Sequence, residues 1–305
     1  MLTTDTQDYL LRAIGSRGDL RLVAVRITYA LKEAQAKHQT TAIATAALGR
    51  AMSASLLLAS SMKEPQGRVN LRIAGDGEIG LIFADAGQNG MVRGFVNNPQ
   101  VRDRWLDSNQ LDIAGVVGAK GCIRVVRDVG YGEPYSSIIE LTTGDISSDV
   151  AWYLASSEQT LSKVILGEYI EQGQVQQAGG LLIQAFPRST TNEQLMEKLE
   201  RQLPSNYEFG KLLHTEQSLE TIVQTLLGDV DPVVLPASKP VSLECRCTLE
   251  RILAGVAMLG EVELRDMISQ GEGAEVVCHF CSKAFQIDHY QLEELLTEMT
   301  RASKN

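Results

Sequence analysis

The fold class is indicated most clearly by Arg68-Val69-Asn70-Leu71-Arg72-Ile73, in which polar and apolar side chains alternate. This alternation is typical of a strand with one buried face. The residues Gly75-Asp76-Gly77 that follow are of the types found in a hairpin turn, and 79–84 is a second strand-like run. The stretch therefore predicts two neighbouring antiparallel strands.

The pattern continues in both directions along the chain. Short connections separate the predicted strands, so the sheet should be largely antiparallel. Residues 41–62 are rich in alanine and leucine and predict a helix, whereas 19–36 fits either a strand or a helix. Together these patterns predict an α+β fold. Further strands are predicted at 91–96, 122–129, 136–141, 163–170 and 180–186.

The charge balance limits the partners and the compartment. The chain has 305 residues and a formal net charge of −10, so its surface should repel nucleic acid and anionic membranes. No basic start followed by an apolar run stands at the N-terminus, which predicts a cytoplasmic protein. The apolar run 41–62 contains Arg50 and is expected to be a buried core helix, not a membrane span.

Residues 189–240 differ from what precedes them. Leucines and methionine recur at helical spacing among charged residues, and prolines interrupt the pattern at Pro204, Pro232, Pro236 and Pro240. Short helices of this kind have no core of their own and must rest on another part of the chain. The chain is thus expected to divide into a core domain at 1–188, a metastable helical linker at 189–240 and a small domain at 241–305.

Four of the five cysteines lie in the last part of the chain, as Cys245-Arg246-Cys247 and Cys278-His279-Phe280-Cys281. Two close cysteine pairs separated by a helical insert suit a tetrahedral zinc ion. We therefore expect these four cysteines to bind one zinc per chain. On spacing alone a structural zinc site is the commoner case, and a redox switch is the alternative.

The small size of the C-terminal domain makes its stability depend on the metal. About sixty residues bury too little surface to be stable alone, whereas structural zinc contributes on the order of 10–16 kcal/mol in small peptides. Oxidised cysteines no longer bind zinc, so oxidation would remove most of this stability. Zinc-bound thiolates can react with peroxide, after which a neighbouring thiol closes a disulfide.

Other signals carry less information. Gly75, Gly77 and Gly80 match a dinucleotide-binding pattern, but an apolar strand follows them instead of a helix. We find no P-loop and no local catalytic arrangement, so the protein is not expected to be an enzyme. Cys122 lies in an apolar strand and is expected to be a buried, inert thiol. His279 is not expected to bind zinc, because four thiolates already fill a tetrahedral site.

The chain resembles the heat-shock protein 33 family over nearly its whole length. The order and spacing of Cys245, Cys247, Cys278 and Cys281 are similar to the zinc motif of that family, and all four cysteines are present. The insert 259–267 also matches, and the N-terminal stretches 75–86 and 92–99 are similar to its signature strands. The resemblance thus rests on two separate parts of the chain.

This resemblance implies a redox-regulated chaperone. The reduced, zinc-bound form would be a monomer with little activity. Oxidation would form the Cys245–Cys247 and Cys278–Cys281 disulfides and release zinc. The C-terminal domain would unfold, the linker would loosen, and dimers would hold unfolding client proteins without ATP. Such a holdase would protect the cell during oxidative and heat stress.

Two other functions fit parts of the sequence. A zinc domain that binds nucleic acid would need a basic surface, but the last sixty residues contain more acidic than basic side chains. A thiol–disulfide oxidoreductase would place Cys278 at the start of a helix, where the helix dipole lowers the thiol pKa. Residues 284–287, which follow this pair, predict a strand instead, and the first cysteine pair would have no role.

Overall fold

The computed structural model describes residues 7–106, 110–186, 192–216, 218–271 and 273–302. The chain separates into two compact units, Met1–Glu244 and Cys245–Asn305. The larger unit contains two mixed layers of sheet and helix, and the smaller one contains the four clustered cysteines. Each unit is described by itself below.

The described part of the first unit is built from short strands and helices. Its strands are β1 Tyr9–Gly15, β2 Leu20–Arg26, β3 Arg68–Ala74, β4 Leu81–Gly87, β5 Met91–Val96, β6 Cys122–Asp128, β7 Tyr135–Glu140, β8 Ser162–Glu171, β9 Gln174–Ala185, β10 Pro232–Val234, β11 Lys239–Pro240 and β12 Ser242–Leu243. Its helices are α1 Thr28–His38, α2 Ala42–Ala59, α3 Ile113–Val117, α4 Ile146–Ser157, α5 Asn192–Gln202, α6 Asn206–Thr215 and α7 Leu219–Leu227, with a short 3-10 helix at Gly228–Val230.

The strands form two six-stranded sheets. Sheet A has the order β10-β1-β2-β9-β8, with β11 also paired to β1, and sheet B has the order β12-β5-β4-β3-β6-β7. Neighbouring strands pair antiparallel, except for the short parallel pair β12–β5. The predicted α+β fold with largely antiparallel sheets is therefore confirmed.

Helix α2 is the centre of the main core. It packs on β4 and β5 of sheet B and on β8 and β9 of sheet A, and every one of its residues is buried. The hydroxyl of Thr41 caps its start by accepting the N–H of Ala44. Among the described helices, α2 alone is long and apolar enough to cross a membrane, but all of its surface is covered by the protein. The prediction of a buried core helix is confirmed.

The structure resolves the element types at 19–36 and the start of the strand after Gly75. The ambiguous region 19–36 contains both element types, strand β2 followed directly by helix α1. The second strand of the hairpin begins at Leu81, two residues later than expected. The preceding loop runs against the backbone of α3, where a Cβ on Gly75 would lie 2.0 Å from the carbonyl oxygen of Val117. The glycines therefore serve this close approach, and no helix follows them.

The helices that follow residue 191 cover one face of sheet A. Helix α6 packs on β8 and β9, α7 on β2 and β10, and α5 on β8. Together with the sheet they form a second hydrophobic cluster, separate from the one around α2. The helices contribute to it Met196, Leu199, Phe209, Leu213, Leu219, Ile222, Val223 and Leu227. Each helix buries one apolar stripe on the sheet, so the sheet supplies the core that these short helices lack.

The second unit is small and contains one hairpin and three helices in its described residues. Its elements are α8 Leu249–Ala257, α9 Glu261–Ser269, β13 Ala274–Val277, β14 Ala284–Ile287 and α10 His289–Ala302. Strands β13 and β14 pair antiparallel. The predicted strand at 284–287 is confirmed to the residue. A small hydrophobic cluster joins the helices to the hairpin.

Candidate metal centre

Two turns present the four clustered cysteines. Cys245 and Cys247 lie between β12 and α8, and Cys278 and Cys281 lie on the turn that joins β13 to β14. The turn is closed by a 3.0 Å bond from the N–H of Cys278 to the carbonyl of Lys283 and a 2.9 Å bond from the N–H of Ser282 to the carbonyl of Cys278. The hairpin thus fixes both thiols of the second pair on one tight loop.

The four sulfur atoms lie within 4.8 Å of one another. The Sγ atoms of Cys245 and Cys278 are 3.6 Å apart, and those of Cys247 and Cys281 are 3.4 Å apart. A disulfide would bring two sulfurs to about 2.05 Å, so these are free thiols. In the described part of the chain this cluster contains cysteines only.

The geometry fits a tetrahedral metal site. Zinc–sulfur bonds of about 2.3 Å place tetrahedral sulfurs roughly 3.8 Å apart. The separations of 3.4 and 3.6 Å lie close to that value, and all six lie within 4.8 Å. Sulfur ligands favour zinc over hard cations such as Mg²⁺. The four cysteines can therefore hold a metal ion.

The ionisation of these thiols also indicates a need for a cation. Burial alone would raise the pKa of Cys245, but the backbone N–H of Cys247 and the neighbouring thiols donate hydrogen bonds to its sulfur and bring the pKa to about 7. Burial and the adjacent sulfurs raise the pKa of Cys247 to about 12 and raise that of Cys278 as well. One thiolate forms readily, whereas burial and the neighbouring sulfurs oppose ionisation of Cys247 and Cys278, so a bound cation would favour their deprotonated forms.

Little apolar burial holds this unit together. Its hydrophobic cluster contains four buried side chains among the described residues, Val256, Leu264, Ile287 and Leu292. Several other large apolar side chains are mostly exposed, including Met258 at 87%, Val262 at 76% and Tyr290 at 79%. A core of this size contributes little net stability once chain entropy is counted, so a bound metal would be a major part of the folding free energy.

Cys122 lies apart from the cluster, on β6. The prediction that it is buried is wrong, because Cys122 is half-buried. The alternation of the strand gives the reason: Ile123 and Val125 face the core and are fully buried, whereas Cys122 shares the opposite face with Arg124.

Sequence reasoning missed a buried charged cluster in the first unit. Arg50, in the middle of α2, donates to both carboxylate oxygens of Glu168, at 3.0 and 2.8 Å, and to Oδ1 of Asp145 at 3.0 Å. Burial opposes the charge on Arg50, but the two carboxylates outweigh it and raise the pKa of the guanidinium. The only signal in the sequence was a single arginine in an alanine-rich helix.

The cluster also receives a residue from the linker. Asn206, the first residue of α6, donates to Asp145, and its side-chain oxygen accepts bonds from the hydroxyl of Ser147 and the N–H of Leu166. A second polar contact joins β1 to linker helix α7: the Tyr9 hydroxyl donates to the carboxylate of Glu220 at 2.8 Å. Polar anchors as well as apolar stripes therefore hold the linker helices on sheet A.

Comparisons with known proteins cover nearly the whole chain. A family model described as Hsp33 protein matches residues 8–288. A relative from Cyanothece sp., named 33 kDa chaperonin, is 45% identical over 292 residues, which cover 96% of this chain and 97% of that relative. A protein of the same name from Thermosynechococcus vestitus is 44% identical over 97% of this chain and 99% of its own length.

A solved structure gives the same result. The crystal structure of the 33 kDa chaperonin from Thermotoga maritima superposes with a TM-score of 0.85 at 30% sequence identity, covering 97% of this chain and 99% of that one. The resemblance noted from the sequence is thereby confirmed across both units. The chain belongs to the Hsp33 family and is a chaperone.

Proposed function

We propose that this chain is a redox-regulated, ATP-independent holdase that is inactive while its four clustered cysteines are reduced. Its clients are unfolding proteins, and its role is protection of the cytoplasm during oxidative and heat stress. The proposal rests chiefly on one observation. Four free thiols lie within 4.8 Å of one another in a unit whose hydrophobic cluster contains only four buried side chains among the described residues.

The reduced form would hold one zinc ion through Cys245, Cys247, Cys278 and Cys281. The ion would supply the positive charge that keeps these thiols deprotonated, and it would cross-link the two turns that carry them. With so little apolar burial in this unit, removal of the sulfur ligands would cost most of its folding free energy. The same four cysteines can therefore stabilise the unit through the metal and sense the oxidant.

Oxidation would convert the thiolates into disulfides. A thiolate attacks one oxygen of hydrogen peroxide to give a sulfenic acid, and a second thiolate displaces water from that sulfur. Two thiolates, two protons and one peroxide thus give one disulfide and two water molecules. Family resemblance favours the pairs Cys245–Cys247 and Cys278–Cys281. Sulfurs locked in disulfides no longer act as ligands, so the metal would be lost.

The linker would pass this change on to the core domain. We assign residues 1–188 to the core, 189–240 to a metastable linker and 241–305 to the switch domain. Helices α5, α6 and α7 are too short to be stable in isolation and depend on sheet A for their core. Once they detach, the sheet exposes a contiguous apolar face that includes Leu11, Leu22, Leu181 and Ile183.

That face would bind unfolding clients. Large exposed apolar patches are binding sites for other apolar surfaces. Holding an unfolded chain on such a patch requires no nucleotide. The same exposed face would support a homodimer of the oxidised form. The net charge of −10 disfavours nucleic acid and anionic membranes as partners.

The arrangement of the cysteines gives less support to a thiol–disulfide oxidoreductase. Cys278 follows strand β13 and precedes strand β14, so no helix N-terminus lowers its pKa. Burial and the neighbouring sulfurs raise that pKa instead. Such a thiol is a poor attacking group in disulfide exchange.

The test measures metal content and chaperone activity on the same samples. The reduced chain should carry one zinc and allow a heat-unfolding client such as citrate synthase to aggregate. After peroxide at mild heat it should lose zinc, contain two disulfides by mass spectrometry and suppress aggregation without ATP. Suppression with zinc still bound would refute the proposal, and turnover in an insulin-reduction assay would favour the oxidoreductase.

A further inference from the structure

Strand β1 forms one side of sheet A, and a single stretch of the chain covers its outer edge. We call residues 230–241 the covering segment. Its strand β10 pairs with Ala13, Ile14 and Gly15, and its strand β11 pairs with Tyr9 and Leu10. Without the covering segment, β1 would be an edge strand with free main-chain groups along its length.

Main-chain hydrogen bonds attach the covering segment to β1. The N–H of Val241 donates to the carbonyl of Asp8 at 2.9 Å, and the N–H of Leu235 donates to that of Arg12 at 2.8 Å. The N–H of Ser16 donates to the carbonyl of Val230 at 3.2 Å. In antiparallel pairing every second residue faces the same neighbour, so Leu10 and Ile14 also turn their main-chain groups outward.

The side chains of β10 contribute little to this attachment, whereas Val241 at the end of the covering segment is buried in the main core. Val233 and Val234, the apolar residues of β10, are 49% and 39% exposed. Prolines at 232, 236 and 240 have no N–H, which prevents the covering segment from pairing with a further strand along its own outer side. The covering segment thus covers the edge, and its strand β10 binds there mainly through the backbone, which any extended polypeptide could replace.

The same strand has an apolar face under the linker helices. Tyr9, Leu11 and Ala13 belong to the hydrophobic cluster that α5, α6 and α7 complete. The covering segment and these helices are parts of one continuous stretch of chain. If that stretch detaches, β1 exposes an apolar face and a row of main-chain donors and acceptors together.

We propose that the uncovered edge of β1 is a client-binding site, at which an extended apolar segment of an unfolded protein adds to sheet A as a new antiparallel strand. This inference rests on the proposed function, because it requires the linker to detach. It specifies how the client is recognised: by its backbone, with alternate side chains placed over the apolar face.

The covering segment supports this choice of occupant. Strand β10 demonstrates that an extended chain fits the edge in antiparallel register with its valine side chains largely exposed. A client strand with large apolar residues at alternate positions would make the same main-chain bonds and would also bury side chains on the exposed face. Recognition through the backbone requires no particular sequence, which suits a protein that meets many different unfolded chains.

Amide hydrogen exchange of the full-length oxidised chain tests the proposal. On oxidation, the edge amides of Leu10, Arg12 and Ile14 should exchange at least tenfold faster than in the reduced chain. Unfolding citrate synthase should restore slow exchange at these amides, while Leu235 and Val241 in the covering segment stay fast. Strand β7, the outer strand of sheet B, is the control and should not change when the client is added.

The outcomes separate this inference from the function on which it rests. If the oxidised chain does not suppress aggregation, the proposed function fails. If it suppresses aggregation while the β1 edge amides exchange equally fast with and without client, the function stands and the edge site is wrong. Slow exchange that returns at Leu235 and Val241 as well would mean that the covering segment has closed again, which also overturns the edge site.

A pair of proline variants tests the same site independently. The N–H of Val233 faces Ile14 and that of Val234 faces away, so Val233→Pro removes a bond to β1 and Val234→Pro does not. Val233→Pro should speed exchange at the β1 edge and reach half-maximal client holding at less than half the wild-type peroxide dose. Val234→Pro should match the wild type in both β1 edge exchange and peroxide dose. Faster edge exchange with unchanged holding in Val233→Pro would refute the site.

Discussion

The side-chain amide of Asn206 donates a 3.2 Å hydrogen bond to Oδ1 of Asp145, and the same Asp145 oxygen accepts a bond from Arg50. Asn206 is the first residue of linker helix α6, whereas Arg50 lies in the middle of core helix α2. The start of the linker helix is therefore inserted into a buried charged cluster of the core. Detachment of α6 must break this contact as well as its apolar packing.

Asn206→Ala should make the linker easier to detach. The side chain satisfies Asp145, Ser147 and the N–H of Leu166, and leaving such groups unpaired costs about 1–3 kcal/mol. We expect a lower free energy of unfolding in urea and client holding at a lower peroxide dose than in the wild type. Zinc content of the reduced chain should not change.

Glu197→Ala is the matched control for Asn206→Ala. Glu197 lies on α5 in the same linker and is exposed, so its loss should leave unfolding and peroxide dose unaltered. Equal behaviour of the two variants would show that the Asn206 contact does not limit linker detachment.

Cys278→Ser should separate the clustered cysteines from the isolated one. A serine hydroxyl is a poor zinc ligand, so the reduced variant should lose most of its zinc and the second unit should unfold at a lower temperature. Partial chaperone activity without oxidant should follow. Zinc analysis and thermal unfolding of the reduced protein measure both effects.

Cys122→Ser provides the comparison for Cys278→Ser. Cys122 is half-buried on β6, outside the group of four sulfurs, and its replacement should leave zinc content unchanged. Full zinc binding and unaltered thermal unfolding in Cys278→Ser would contradict the four-cysteine site.

A fragment of residues 1–188 should bind more hydrophobic dye than the reduced full-length chain. It lacks α5, α6 and α7, so the apolar face of sheet A that includes Leu11 and Leu181 would be open to solvent. Dye fluorescence at equal concentration measures this, with circular dichroism to establish that the fragment is folded. Equal dye binding by a folded fragment would mean that the linker does not cover the apolar face.

Asp8 should make stability depend on pH in the acidic range. Burial raises its pKa, although the N–H groups at the start of α1, such as that of Ala30, oppose the rise. A raised pKa means that the folded chain holds this proton more tightly than the unfolded chain. The resulting stabilisation is complete below the ordinary value of 3.8 and is lost as the pH rises through the raised value.

Asp8→Asn removes this titration. The difference in unfolding free energy between wild type and Asp8→Asn should therefore shift in favour of the variant as the pH rises from about 4 to neutrality. Urea unfolding at a series of pH values measures that difference. A constant difference over the whole range would show that Asp8 titrates at its ordinary value.

Local sequence patterns predicted the strands with regular alternation and the long helix. Residues 91–96 and 284–287 are strands with the predicted limits, because their side chains alternate between a buried and an exposed face. The spacing of the cysteines also identified which thiols come together. These features depend on neighbours within a few residues, which is why the sequence reveals them.

Features that depend on distant partners were not predictable. Strands β10, β11 and β12 contain two or three residues each, and two of them include proline, so no periodicity marks them. They exist because β1 and β5 offer main-chain partners. The partners of Arg50 lie 95 and 118 residues away along the chain, at a distance where no local pattern connects them.

The parallel strand β12 ends at Leu243, two residues before the first thiol, Cys245. The N–H of Glu244 donates to the carbonyl of Val92 at 3.0 Å, and the next residue is the first thiol, Cys245. Unfolding that starts at Cys245 and proceeds towards the N-terminus would detach β12 first, then β11 and then β10. The edge of β5, which pairs with β12, would therefore be exposed before the edge of β1. The order of the three strands along the chain would therefore determine the order in which they detach. A short insertion after Glu244 would weaken the coupling between unfolding at Cys245 and detachment of β12.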